Sequence, residues 1–307
     1  MTFAILDFGT NTFNLLIAEA SEDKGFKTLH SGKQPVKLGK GGIHNGLITP
    51  EAMERGFRAV ENHLATLREY GNPPVRAIAT SAIRSAGNGM QYVAEMKRRY
   101  GFDTEVITGE REAELIYKGV KASGVLPEEN VLILDIGGGS NEFILCDRET
   151  IFWKRSFDLG MARILEKFTL SDPIRPEEIR ELEDYFEAEL EPLFTAVNEF
   201  RPAALVGASG SFETFAEMIR LANGKAPDNE VARTLDLNAY SLLHHRLLAS
   251  TLEERKEMPG MEPVRVEMIV AASIFVTFVL QKCRISKLLQ TDYALKEGVF
   301  AEMTGMS

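Results

Sequence analysis

Two aspartates, each followed two residues later by a glycine and then by small polar side chains, are the first candidates for chemistry in this sequence. They are Asp7 in LDFGTNTFNLLI and Asp135 in LDIGGGSNEFIL. In the second stretch Gly137, Gly138 and Gly139 cost more conformational entropy than a hairpin requires, and they leave backbone N–H groups free to converge on an anion, with the Ser140 hydroxyl beside them. Asp135 and Glu142 can then hold a hydrated Mg2+, the hard cation that accompanies phosphate chains. The competing reading is a glycine-rich bend with two solvated carboxylates. A second Asp-Gly hairpin in the chain favours the functional reading, with Asp7 supporting metal and Gly9, Thr10, Asn11 and Thr12 offering donors. Neither stretch is a P-loop or a dinucleotide fingerprint, because those motifs open a helix and here a strand pattern follows.

Other candidates are single residues. TGEREAELIYKGV predicts a helix capped by Thr108 with Glu110 and Glu112 in its first turn. Acidic residues there complement the helix dipole, and a carboxylate at a cleft edge can also deprotonate an attacking water. Arg84 follows a strand end, where it can reach a bound phosphate; as a lone arginine it fits a surface charge as well. In GASGSFET, Ser209, Gly210 and Ser211 open a helix, which suits either anion binding or plain capping. Lys33, Lys37 and Lys40 read as a solvent-facing basic strip. The five histidines form no metal or triad pattern, and no nucleophile elbow is evident.

The elements that must position these residues occur twice. FAILDFGTNTFNLLI aligns with VLILDIGGGSNEFIL, pairing Asp7 with Asp135, Gly9 with Gly137 and Thr12 with Ser140. Each copy continues through a third strand and a helix: TPEAMERGFRAVENHLATLREYG, with Pro50 at its first position, and RPEEIRELEDYFEAELEPLFTAVNEF. A short strand ending in small hydroxyl residues and a further helix complete each copy. Two α/β domains on mixed sheets follow, residues 1–125 and 126–295, with the hairpins facing across a cleft and the boundary near KASGVLPEEN. The closing helix, about 296–307, is expected by analogy to pack back on the first domain.

Composition narrows the setting. The chain has 307 residues, 44% of them apolar, enough for two cores. The start MTFAILDFGT has no basic leader, and the longest apolar run, MIVAASIFVTFVL, is too short for a bilayer and reads as a buried helix. Cys146 and Cys283 belong to no disulfide or zinc pattern, so a reducing cytoplasm is expected. A net charge of -10 disfavours broad binding to duplex DNA or RNA, while leaving room for an anionic substrate held locally.

In this order, DFGTNTFNLLI, ATSAIRSAGN, GEREAELIYKGV, DIGGGSNEF, GASGSFET, PGMEPVRVEMIVAAS and DYALKEG resemble the signatures of the exopolyphosphatase and guanosine pentaphosphate phosphohydrolase family of the hexokinase-actin superfamily. The resemblance implies duplicated actin-like (ribonuclease H-like) domains with substrate in the cleft between them. It implies Glu112 as the catalytic glutamate, with Asp135, Gly137, Ser140 and Glu142 at phosphate and magnesium. Asp7, Gly9, Asn11 and Thr12 then form the facing loop, and Arg84 contacts substrate. Asn141, Lys296 and the pair Val266 and Glu267 depart from the usual threonine, arginine and alanine-aspartate, and the helical domains that extend longer members are expected to be absent. The expectation is an exopolyphosphatase releasing terminal orthophosphate from polyphosphate with Mg2+, or Mn2+ in its place, and a monovalent cation as a further option. Guanosine pentaphosphate is the alternative substrate. An ATPase or sugar kinase and a non-catalytic sensor are the competing classes, and a homodimer is an option.

Overall fold

The computed structural model describes residues 1–21, 25–226 and 230–306, so position 307 of the expected closing helix lies outside the described residues. The first half contains β1 (Thr2–Phe8), β2 (Thr12–Ala20), β3 (Phe26–Pro35), α1 (Pro50–Glu69), β4 (Val75–Ala79), α2 (Ser81–Ser85), α3 (Gly89–Tyr100), β5 (Thr104–Val106) and α4 (Gly109–Ala122). The second contains β6 (Val131–Ile136), β7 (Asn141–Cys146), β8 (Ile151–Phe157), α5 (Met161–Lys167), α6 (Pro176–Glu189), α7 (Glu191–Phe200), β9 (Ala204–Ala208) and α8 (Gly210–Ala222). It continues with β10 (Ala232–Leu235), α9 (Leu237–Leu248), α10 (Leu252–Lys256), α11 (Ile269–Lys282), β11 (Leu288–Thr291) and α12 (Leu295–Thr304).

The first sheet has the order β3-β2-β1-β4-β5 and the second β10-β11-β9-β6-β7-β8. Strand for strand, β8-β7-β6-β9-β11 repeats β3-β2-β1-β4-β5, with the same antiparallel and parallel pairings, and β10 is added at the far edge. The duplication legible in the hairpins therefore extends to the whole sheet. β6 is buried along its whole length and β1 over most of it, which explains their nearly unbroken apolar sequences.

Alternation along these strands feeds different cores. Ala4, Leu6 and Phe8 of β1 join a core with α1 and α3, whereas Ile5 points the other way. In β6, Leu132, Leu134 and Ile136 join the core under α6, α8 and α11, while Val131 and Ile133 face the side of Ile5. That shared third core is filled by α4 and α12, a helical layer between the two sheets. α4 lies on β7 and β8, and α12 lies on α4, β1 and β2. The two helices cross at glycines, where a Cβ on Gly298 would overlap the Leu115 carbonyl and one on Gly119 the Ala294 carbonyl. Glu302 of α12 ties the layer down through Arg76, Arg111 and Lys118.

Local signals explain the helix limits. Thr49 caps α1 by accepting from the Ala52 N–H, with Pro50 in the first turn as expected. The long helix expected over RPEEI to VNEF is instead two, α6 and α7, because Pro192 lacks an N–H and its ring blocks continuation through Leu190. MIVAASIFVTFVL forms α11, buried on nearly every side. Among the described residues no helix is long and apolar enough to cross a membrane.

Candidate active site

The two Asp-Gly hairpins meet tip to tip. In the first, β1 and β2 pair Asp7 with Asn14, and the Gly9 N–H donates to the Thr12 carbonyl at 3.1 Å. In the second, Asp135 pairs with Glu142, and the Gly137 N–H donates to the Ser140 carbonyl at 3.1 Å. Gly138 abuts Asn11, and a Cβ on Gly139 would lie 2.5 Å from the Thr10 hydroxyl and 2.6 Å from that of Ser81. Neither Gly138 nor Gly139 has a positive φ. Close approach of the opposite loop, rather than a special turn conformation, is what demands glycine there.

Between the tips lies a cavity of about 100 Å3. Gly9, Thr10, Asn11 and Thr12 line one wall and Gly137, Gly138, Gly139 and Ser140 the other, with Ser209 and Gly210 at the start of α8 closing a third. Ser209 holds φ 73° and ψ 175°, a strained backbone for a residue with a side chain and one that turns the chain sharply into the helix. Ser211, one residue on, is fully buried behind this wall. Arg84 is also outside the lining: its Nη1 donates to Glu112 Oε2 at 2.8 Å and to the Ile107 carbonyl at 3.0 Å. The residue left open in sequence between phosphate contact and surface charge thus holds a carboxylate.

Glu112 reaches the cavity because Gly109, the first residue of α4, lets the helix end press against Ser156 of β8. Thr108 caps the helix by accepting from the Arg111 N–H. Glu112 is 7% exposed. Burial, then the Glu142 charge, raises its pKa well above the usual carboxylate range, and Arg84 only partly offsets this. Burial likewise pushes Asp7 up to about 6, Glu142 to about 7 with Asp135 adding to it, and Asp135 to about 8 with Glu112 adding to it.

The copies differ at equivalent positions: Asn14 donates to Asp7 at 2.9 Å, whereas Glu142 faces Asp135 and is held by the Ser140 and Ser156 hydroxyls, each at 2.7 Å. Asp7 Oδ1 is buried with no hydrogen-bond partner. Crowded, desolvated carboxylates and an orphaned carboxylate oxygen are the chemistry that a divalent cation answers. Among the described residues no three such side chains converge as a ready cage. That suits Mg2+, which is held by one or two carboxylates and completes its shell from water and phosphate oxygens.

These raised pKa values set a pH dependence in the metal-free protein. Each carboxyl binds its proton more tightly folded than unfolded, so its contribution to stability is full below about pH 4 and is lost as pH rises through the folded values. Those values are about 6, 7 and 8 for Asp7, Glu142 and Asp135. Glu178 and Glu302, held down at about 2 by their partners, titrate below this window. The unfolding temperature in EDTA is expected to fall between pH 5 and 8.5, and Mg2+ to restore most at the upper end. Calorimetry showing a flat profile would remove the repulsion inferred here.

Three cations also line the cavity: Lys33 on β3, Arg265 before α11 in the stretch PGMEPVRVEMIVAAS, and Lys296 on α12 in DYALKEG. The lysine strip faces solvent as expected, and it also makes ion pairs: Lys33 pairs across the cleft with Glu213 at 2.6 Å and Glu262 at 3.4 Å, and Lys37 with Glu267 at 2.7 Å. Past Lys33, Glu213 and Lys296 the cleft adjoins a second cavity of about 470 Å3 that reaches Arg233 and Tyr293.

Comparison with known proteins agrees with this architecture. A sequence model of the Ppx/GppA phosphatase family matches residues 16–306. Exopolyphosphatase 1 of Mycobacterium tuberculosis is 27% identical over 300 residues, which cover 97% of this chain and 87% of that protein. The crystal structure of an exopolyphosphatase from Cytophaga hutchinsonii superposes with a TM-score of 0.96 at 36% identity, covering 100% of this chain and 99% of that one. The Aquifex aeolicus PPX-GPPA enzyme gives 0.80 at 25% identity, covering 98% and 99%. The fold is the duplicated actin-like one.

Proposed function

Because the chain belongs to the Ppx/GppA phosphatase family, we propose that it is an exopolyphosphatase, hydrolysing the terminal phosphoanhydride bond of inorganic polyphosphate. The observation that carries this reading is Glu112: a buried carboxylate with a raised pKa, fixed by Arg84, at the edge of a cavity of phosphoryl size walled by two donor loops. The terminal phosphoryl group sits between the loops, its oxygens taking hydrogen bonds from the Gly9–Thr12 and Gly137–Ser140 stretches. Glu112 accepts a proton from water as that water attacks in line. Arg84 keeps the carboxylate aimed, and Lys33, Arg265 and Lys296 balance charge on the remaining phosphates. One or two of Asp7, Asp135 and Glu142 would hold Mg2+, or Mn2+, which would supply charge neutralisation at the phosphate oxygens.

Chelation by EDTA is accordingly expected to stop orthophosphate release from polyphosphate, and added Mg2+ to restore it. Full turnover in EDTA after exhaustive dialysis would remove the metal from the proposal.

The adjoining cavity supports one second reading. Its volume of about 470 Å3 falls in the range of small-molecule pockets and offers the Tyr293 ring, so guanosine pentaphosphate, with its nucleoside there, is the alternative substrate. Comparing kcat/KM for polyphosphate, guanosine pentaphosphate and ATP on one preparation decides between them.

A further inference from the structure

Lys33, Arg265 and Lys296 share the cleft with one carboxylate that neither the proposed hydrolysis nor metal binding uses, Glu213, in the first turn of α8. It is 2.6 Å from Lys33. Arg265 reaches the same turn: its guanidinium lies so tightly on Gly210 that any side chain at 210 would overlap it. Arg265 is itself 7% exposed, its Nε is buried without a hydrogen-bond partner, and its carboxylate neighbour Glu262 stands 3.7 Å away, beyond hydrogen-bond range. A buried guanidinium with an idle N–H is set for an anion that the protein supplies only in part.

We propose that Glu213 is an internal stand-in for a substrate phosphate: it occupies the Lys33, Arg265 and Lys296 cluster of the empty cleft, and the second phosphate of the bound chain takes its place. This rests on the hydrolase reading above. The charges match, because an internal unit of a phosphoanhydride chain has one ionised oxygen, as a carboxylate does. Terminal phosphate and free orthophosphate carry more than one negative charge near neutral pH. Exchange of Glu213 for a chain unit therefore leaves the net charge of the cluster unchanged. Electrostatics support the arrangement: the charges of Lys33, Lys296 and Arg265 hold the Glu213 carboxyl below its ordinary range although burial pushes it up. Lys296 also pairs with Glu297 at 2.9 Å and Lys33 with Glu262 at 3.4 Å, so Glu213 is one of three carboxylates that balance these cations.

The test uses Glu213→Gln, nearly the same shape without the charge, and Glu213→Asp, which keeps the charge. Tripolyphosphate and orthophosphate are titrated separately into each protein by calorimetry in EDTA, where the proposed turnover is stopped. Glu213→Gln is expected to bind tripolyphosphate about five to ten times more tightly than the wild type, as removal of a competing charge predicts, with a smaller gain for orthophosphate, which has no second phosphate. Its unfolding temperature should start lower and rise further on adding tripolyphosphate. KM for polyphosphate should fall. Glu213→Asp should bind within about twofold of the wild type. Equal or weaker binding by Glu213→Gln would show that the carboxylate positions the cations for substrate and would overturn the proposal, as would an equal gain in Glu213→Asp. If the wild type released no orthophosphate from polyphosphate, the hydrolase reading would fail, whereas the binding titrations would still decide the role of Glu213.

Discussion

Replacing Glu112 by glutamine is expected to lower kcat for orthophosphate release about a hundredfold to ten-thousandfold while leaving KM near the wild-type value. The side chains are almost identical in shape, and glutamine can still accept the Arg84 hydrogen bond through its carbonyl oxygen, so the cavity should persist. What disappears is the proton acceptor. A base works best when its pKa lies near the working pH, and burial beside Glu142 lifts Glu112 toward that range from the ordinary carboxylate value. The wild-type rate should therefore rise with pH along an ionising limb, and Glu112→Gln should lose that limb. Steady-state phosphate release across pH on both proteins checks the point. An unchanged kcat in the variant would mean that water is activated without this carboxylate.

The second large effect concerns stability. Gly298→Ala is expected to destabilise the protein by about 3 kcal/mol, at the upper end of overpacking costs, because the added methyl meets backbone on the facing helix. The obstacle is the Leu115 carbonyl, and Gly119 opposes the Ala294 carbonyl from the other side, so the helices must separate along their crossing. Separation reaches the chemistry through sequence: Leu115 lies one turn beyond Glu112 in α4, and Lys296 lies in the first turn of α12. Urea unfolding should show the lowered midpoint, with kcat reduced in the protein that remains folded. Gly25→Ala is the control, since nothing lies within 4 Å of a Cβ there and its φ is not positive.

How much of this was legible in sequence varies by feature and for physical reasons. The hairpins were, because alternating burial and an Asp-Gly turn leave a period-two pattern that repeats when the fold repeats. Their meeting was legible as a cleft, but the reason for Gly138 and Gly139 was not. Sequence reasoning assigned them to freeing backbone amides, whereas the Asn11, Thr10 and Ser81 side chains are what exclude a Cβ, and only tertiary contact creates that need. Arg84 could not be resolved alone because its partner is 28 positions away. Lys33 was legible only as part of a basic strip, Lys296 and Arg265 only within family-like stretches and Glu213 only within a helix opening, because they come from four segments and acquire a common role only where the sheets and α12 bring them together. β5 and β10 were too short for a periodic signal, and Pro192 was the overlooked mark of the break between α6 and α7.

The position of α12 between the sheets also has a bearing on how the protein is made. On a ribosome β1, with Asp7, emerges long before α12, the helix that covers it. Until residue 296 is out, the cleft lacks Lys296, and the inner face of the first sheet, Ile5, Leu16 and Ala18, has no Val299 or Phe300 to bury it. Until α12 is out, the nascent first sheet keeps part of one apolar face open to solvent.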